Sequence, residues 1–184
     1  RSARLILASA AVDGTTATIA FGQGDERGID AVLIDTRDGS DRVAVRAIDV
    51  PHSIELGGGD DLLAIGSLAG SGATATQWPN PAGTLNGIAA LLTISGGLTE
   101  VAEGVFQTGY DLVWISDASD TAGNTGVLTA NLLTGLGMAQ GISYQGFEAL
   151  ELRLGSGAYE LTIRSTHSGS TALDAGAGND LIII

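Results

Sequence analysis

Acidic side chains beside glycine are the part of this chain best suited to chemistry. Asp38 and Asp41 flank Gly39, Asp60 and Asp61 follow Gly57-Gly-Gly59, and Asn179 and Asp180 follow Gly176-Ala-Gly178. Carboxylates and the carbonyls of a flexible glycine turn are hard oxygen donors, and calcium takes about six to eight such oxygens. The pattern therefore predicts calcium held between neighbouring turns, with Asp38 and Asp41 on one and Asp60 and Asp61 on the next. Asn179 and Asp180 form a sparser second set. The same residues also fit a reading without metal, in which each Asp caps a turn by accepting backbone amides.

The elements that must position these residues are legible as a repeat. Ile54–Ile65 aligns without a gap on Leu173–Ile184, with Gly57/Gly176, Gly59/Gly178 and Asp61/Asp180 at the turn. The match extends to segments 28–65 and 146–184 with one residue added in a loop. A shorter spacing of about twenty residues runs inside each segment, the scale of one coil of a parallel β-solenoid. Alternate residues in Val43/Val45, Leu63/Ile65, Leu161/Ile163 and Ile182/Ile184 are expected to point inward and stack from coil to coil. The expected fold is thus all-β: a single parallel β-solenoid over 1–184, of the β-helix or β-roll kind.

Composition agrees. The 28 glycines and few aromatics suit closely stacked, repeatedly turning strands, and a hydrophobic share of 44% argues against disorder. The net charge is −13, and arginine is the only basic residue, six of the eight lying before Asp49. A broadly acidic surface repels phosphate backbones, which excludes nucleic acid as a partner and admits divalent cations or simple solubility as the reason for the charge. The chain has no cysteine, so thiolate metal sites and disulfides are excluded. Its longest apolar runs are strand-sized, so no membrane span is expected. Arg1–Ala10 lacks the length and start of a signal peptide and reads as the interior of a longer protein or a mature end.

In chain order, strands are expected at Arg4–Ala8 and Thr16–Phe21, with a polar corner at Gly22–Gly28. After the first repeat segment, a loop insertion covers about 67–84 and contains Trp78-Pro-Asn-Pro81. An apolar strand follows at Leu85–Ser95, then an irregular segment at about 96–109 that can hold a short helix over Leu98–Phe106. Strands return at Tyr110–Ser116 and Val127–Leu133. Trp78 is the better candidate for exposed binding, and Trp114, inside an apolar strand, is read as core.

Catalytic patterns are sparse. His52 and His167 lack partners at metal-ligand spacing, and no nucleophile-elbow motif lies between a strand and a helix. Arg153 and Arg164, among Glu148, Glu151 and Glu160, read as a solvated outer face of paired charges.

The glycine- and aspartate-rich turns resemble degenerate copies of the calcium-binding nonapeptide of repeat-in-toxin, or hemolysin-type, proteins. The stretches Asn124–Thr129, Gly135–Met138 and Gly141–Leu150 resemble units repeated along very large secreted bacterial surface proteins. That resemblance implies an extracellular or cell-surface location, an adhesive or matrix role and calcium as the cofactor. The expected function is a non-enzymatic structural segment of a surface adhesin or matrix filament. Its partners would be further copies or adjacent repeats end to end, since Asp180–Ile184 is an apolar strand without a cap, and surface glycans. The alternative is a carbohydrate-active β-helix, a polysaccharide lyase or hydrolase, which requires a groove with converging carboxylates or arginines.

Overall fold

The computed structural model describes residues 3–8, 29–74, 77, 79–97, 99–102, 105–107 and 109–184. Among them there is no helix and there are sixteen strands. These are β1 (Ala3–Ala8), β2 (Ile29–Asp35), β3 (Arg42–Val45), β4 (His52–Glu55), β5 (Leu62–Ile65), β6 (Leu92–Ser95), β7 (Thr99–Ala102) and β8 (Val105–Gln107). The second half adds β9 (Leu112–Ser116), β10 (Thr125–Leu128), β11 (Leu132–Gly135), β12 (Ile142–Gln145), β13 (Ala149–Arg153), β14 (Glu160–Ile163), β15 (Ser170–Asp174) and β16 (Leu181–Ile183).

From β2 the chain passes back and forth between two sheets. One has nine strands in the order β1-β2-β4-β6-β12-β11-β10-β14-β16, the other five in the order β15-β13-β9-β5-β3. The five-stranded sheet is parallel throughout, and Val43, Leu63, Val113, Leu150 and Thr171 form one transverse row across it. Val45, Ile65, Ile115, Leu152 and Leu173 form the next inward row. Ile34, Ile54, Ile94 and Tyr144 line up in the same way on the nine-stranded sheet.

These rows make the core. Ile54, Leu63, Ile94, Val113, Ile115 and Leu152 are fully buried in one continuous cluster, while Ile34, Val43, Leu173 and Ile182 pack against it partly buried. Each fully buried aliphatic side chain contributes roughly 1.5–3 kcal/mol of transfer free energy, so the rows are the main stabilising element. Alternation explains the rest of each strand: with period two, residues between the inward ones face out. Ile184 departs from the expected inward set and is 97% exposed.

The nine-stranded sheet is mixed, because β10, β11 and β12 form an antiparallel meander between β14 and β6. Sequence predicts one strand over Val127–Leu133. Instead the chain reverses at Thr129–Asn131, where the Thr129 N–H donates to Leu132 O at 2.9 Å and the Asn131 N–H to Thr129 Oγ1 at 3.4 Å. The expected helix near 98–106 is replaced, in its described part, by the β7–β8 hairpin. Its β-branched Thr99, Val101 and Val105 favour that outcome. The expected strand Leu85–Ser95 is extended only over β6: Leu85 and Ile88 are buried in a turn, with Ile88 bridged to Ile48. The expected strand Thr16–Phe21 and corner Gly22–Gly28 lie outside the described residues.

Candidate functional site

Two kinds of corner join the sheets. At the forward corner the chain leaves the nine-stranded sheet for the five-stranded one, as at 36–41 and 56–61; at the return corner it comes back, as at 154–159 and 175–180.

The forward corner stacks acidic residues one per turn. The Asp41 N–H donates to Asp61 Oδ1 at 2.7 Å, the Asp61 N–H to Asp111 Oδ1 at 3.1 Å, and the Asp111 N–H to Glu148 Oε2 at 2.7 Å. Each carboxylate thus caps the equivalent amide of its neighbour, across 20, 50 and 37 residues of sequence. Asp111 Oδ2 also accepts the Gly97 N–H at 3.2 Å, and Asp60 Oδ1 the Tyr110 N–H at 2.8 Å.

Glycine is what lets these turns come so close. A Cβ on Gly59, at φ +127°, would lie 1.9 Å from Gly39 O, and one on Gly109 would lie 1.5 Å from Gly59 O. No side chain fits there, and the backbone at Gly59 is in a region that other residues rarely adopt.

The ladder is buried. Asp61 is 2% exposed and Asp111 fully buried, and Oδ2 of both Asp41 and Asp61 is buried without a hydrogen-bond partner. Burial raises the Asp61 carboxyl from its usual 3.8 to about 7; nearby Asp111, Asp41 and Asp60 push the same way, and the Asp41 N–H opposes them. Asp111 and Asp41 are raised too, chiefly by burial.

Of the residues singled out in the sequence, Asp41, Asp60 and Asp61 meet at this corner, and Asp38 lies exposed beside Gly39. Asn179 and Asp180 belong to the return corner, where Asp180 Oδ1 accepts the Tyr159 N–H at 2.9 Å. Among the described residues no group of three or more His, Asp or Glu converges as a ligand set would. Asp111 and Glu148 are the members that sequence reasoning missed. Their signal was present: Gly39-Ser-Asp41, Gly59-Asp-Asp61, Gly109-Tyr-Asp111 and Gly146-Phe-Glu148 each place an acid two residues after glycine, directly before a strand.

The return corner contains a second buried acid. Asp117, fully buried, accepts the Leu85 N–H at 2.9 Å and the Tyr159 O–H at 3.0 Å. Burial lifts its carboxyl to about 6 against the pull of those donors. Asp120 accepts from Ala122 N, Asn86 Nδ2 and Asn124 Nδ2, and these bonds lower its carboxyl. The pair fastens the end of the 66–91 connection, with Gly83 N–H also donating to Ser116 Oγ at 3.2 Å.

Glu148 leaves the expected outer face of paired charges for the ladder. Glu151 and Arg153 stay on that face and share Asn80, which donates to Glu151 at 3.2 Å and accepts from Arg153 at 2.9 Å. Trp114 is half-buried rather than core, because strand alternation sends Val113 and Ile115 inward and Trp114 to the other side. His52 sits 2.8 Å from Val50 O and His167 3.2 Å from Thr171 Oγ1. Trp78 lies outside the described residues. A 240 Å³ depression on the nine-stranded sheet, lined by Thr125, Val127, Thr134, Thr162 and Glu160, brings in one carboxylate.

Compared with protein-family models, with curated proteins and with solved structures, the chain matches none. No helix among the described residues is long and apolar enough to cross a membrane.

Proposed function

We propose that this chain is a β-solenoid segment with a structural, non-enzymatic role in an extracellular or cell-surface protein of the adhesin or matrix-filament kind. The observation that carries the reading is the pairing of strands one coil apart on both sheets. Val32 sits beside His52, Arg42 beside Leu62, Ala149 beside Ser170 and Glu160 beside Leu181. A stack in which each turn touches mainly its neighbours gains length by adding turns, and length and stiffness are what a surface scaffold supplies. The acidic composition and the resemblance of 124–150 to units of large surface proteins support the same reading.

Contacts end to end follow from the edges. The outer strand β16 has β14 as its one neighbour and exposes Leu181 and Ile183. A heterologous contact at such an edge continues rather than closes. Sedimentation velocity across a hundredfold concentration range, with electron microscopy of the same samples, tests the assembly. Linear species growing with concentration are expected, and a monodisperse monomer throughout would overturn it.

A further inference from the structure

We propose that the Asp41–Asp61–Asp111–Glu148 ladder is a proton-holding joint: near and below neutral pH Asp61 keeps a proton that supplies a donor otherwise missing at the forward corner, and its loss in alkali loosens the stack. This goes beyond a scaffold role and stands whether or not the chain assembles.

The geometry requires a donor. Four acidic side chains stack on successive turns, and main-chain N–H groups reach Asp61 Oδ1, both Asp111 oxygens and Glu148 Oε2. Asp41 Oδ2 and Asp61 Oδ2, on adjacent turns, are buried with no partner. A carboxylate oxygen can only accept, so two buried orphans side by side are costly, whereas protonation turns one into a donor.

The surroundings favour that proton. The charges acting on Asp61 are Asp111 and Asp41 on the flanking turns and Asp60 on its own, all acidic. Arg37 and Arg42, at the preceding turn, are exposed. Burial and like charge both disfavour a second anion there, and the carboxyl is raised to about 7. Since the folded chain holds the proton more tightly than the unfolded chain, the stabilisation is complete below about 4 and is lost as pH rises through about 7.

Carbon-13 NMR of the Asp61 carboxyl, in chelator, reads the proton directly. A midpoint near 7 is expected, and one near 4 would overturn the proposal. Thermal unfolding of the wild type and Asp61→Asn between pH 5 and 8.5 reads its consequence. The amide keeps an acceptor for the Asp41 N–H and carries a permanent donor, so Asp61→Asn should melt about 5 °C above wild type at pH 8.5 and level with it at pH 5. An unchanged pH slope in the variant would assign the slope to net charge and overturn the joint. If the variant does not fold, the wild-type midpoint still decides.

Discussion

The turns at Gly57–Asp61 and Gly176–Asp180 have the same local shape and different surroundings. Gly57 and Gly176 have φ of +85° and +75°, and Gly59 and Gly178 have +127° and +128°. In both, the Asp accepts the amide of the turn one coil earlier, Asp61 from Asp41 and Asp180 from Tyr159. Yet one leads from the nine-stranded sheet to the five-stranded sheet and the other leads back. The first lies between neighbouring turns in a buried ladder; the second is largely exposed, and Tyr159 stands where the preceding acid would be. Sequence specifies the turn, and position in the stack decides what its carboxylate experiences.

Substitutions at matched positions should break this pair unequally. Gly59→Ala forces a strained φ and a Cβ 1.9 Å from Gly39 O, and is expected to cost about 3–5 kcal/mol. Gly178→Ala, with 2.4 Å to Gly157 O at the exposed turn, should cost about 1–2 kcal/mol, both read by urea unfolding. Ile54→Ala removes a fully buried side chain from the centre of its row, for about 3 kcal/mol, whereas the partly buried Ile182→Ala should cost about 1 kcal/mol. At pH 5, Asp61→Ala should cost about 2 kcal/mol and Asp180→Ala about 1 kcal/mol, since only the first leaves a buried amide without a cap.

The smallest effect is expected from Asp117. Its carboxyl is raised to about 6, so the folded chain binds this proton more tightly than the unfolded chain and stability declines as pH rises from about 4 through 6. Asp117→Asn should flatten that part of the thermal-unfolding profile while leaving the decline near pH 7, which belongs to the other corner.

Much of this architecture was legible because its signals are local. Glycine spacing placed the turns, and Val43/Val45 and Leu63/Ile65 placed the inward rows of β3 and β5. The strand class followed, as did the twenty-residue step between Asp41 and Asp61. The ladder was legible only in part. Connections 66–91 and 96–111 stretch the next step to 50 residues, so Asp111 falls outside any fixed period although its Gly-x-Asp-Leu context repeats that of Asp61. The meander was hidden for another reason: the reversal at Thr129–Asn131 has no glycine or proline, and its bonds form between side chain and backbone only once β10 and β11 pair. Nor does any local signal tell a forward corner from a return corner.

The stacking of these turns is tested most directly by NMR couplings across backbone hydrogen bonds, which name the donor and acceptor residues. Couplings are expected from Leu62 N–H to Asp41 C=O, from Leu112 N–H to Asp61 C=O and from Leu181 N–H to Tyr159 C=O. Couplings joining each turn's own flanking strands as antiparallel hairpins, β4 with β5 or β15 with β16, would contradict the stack.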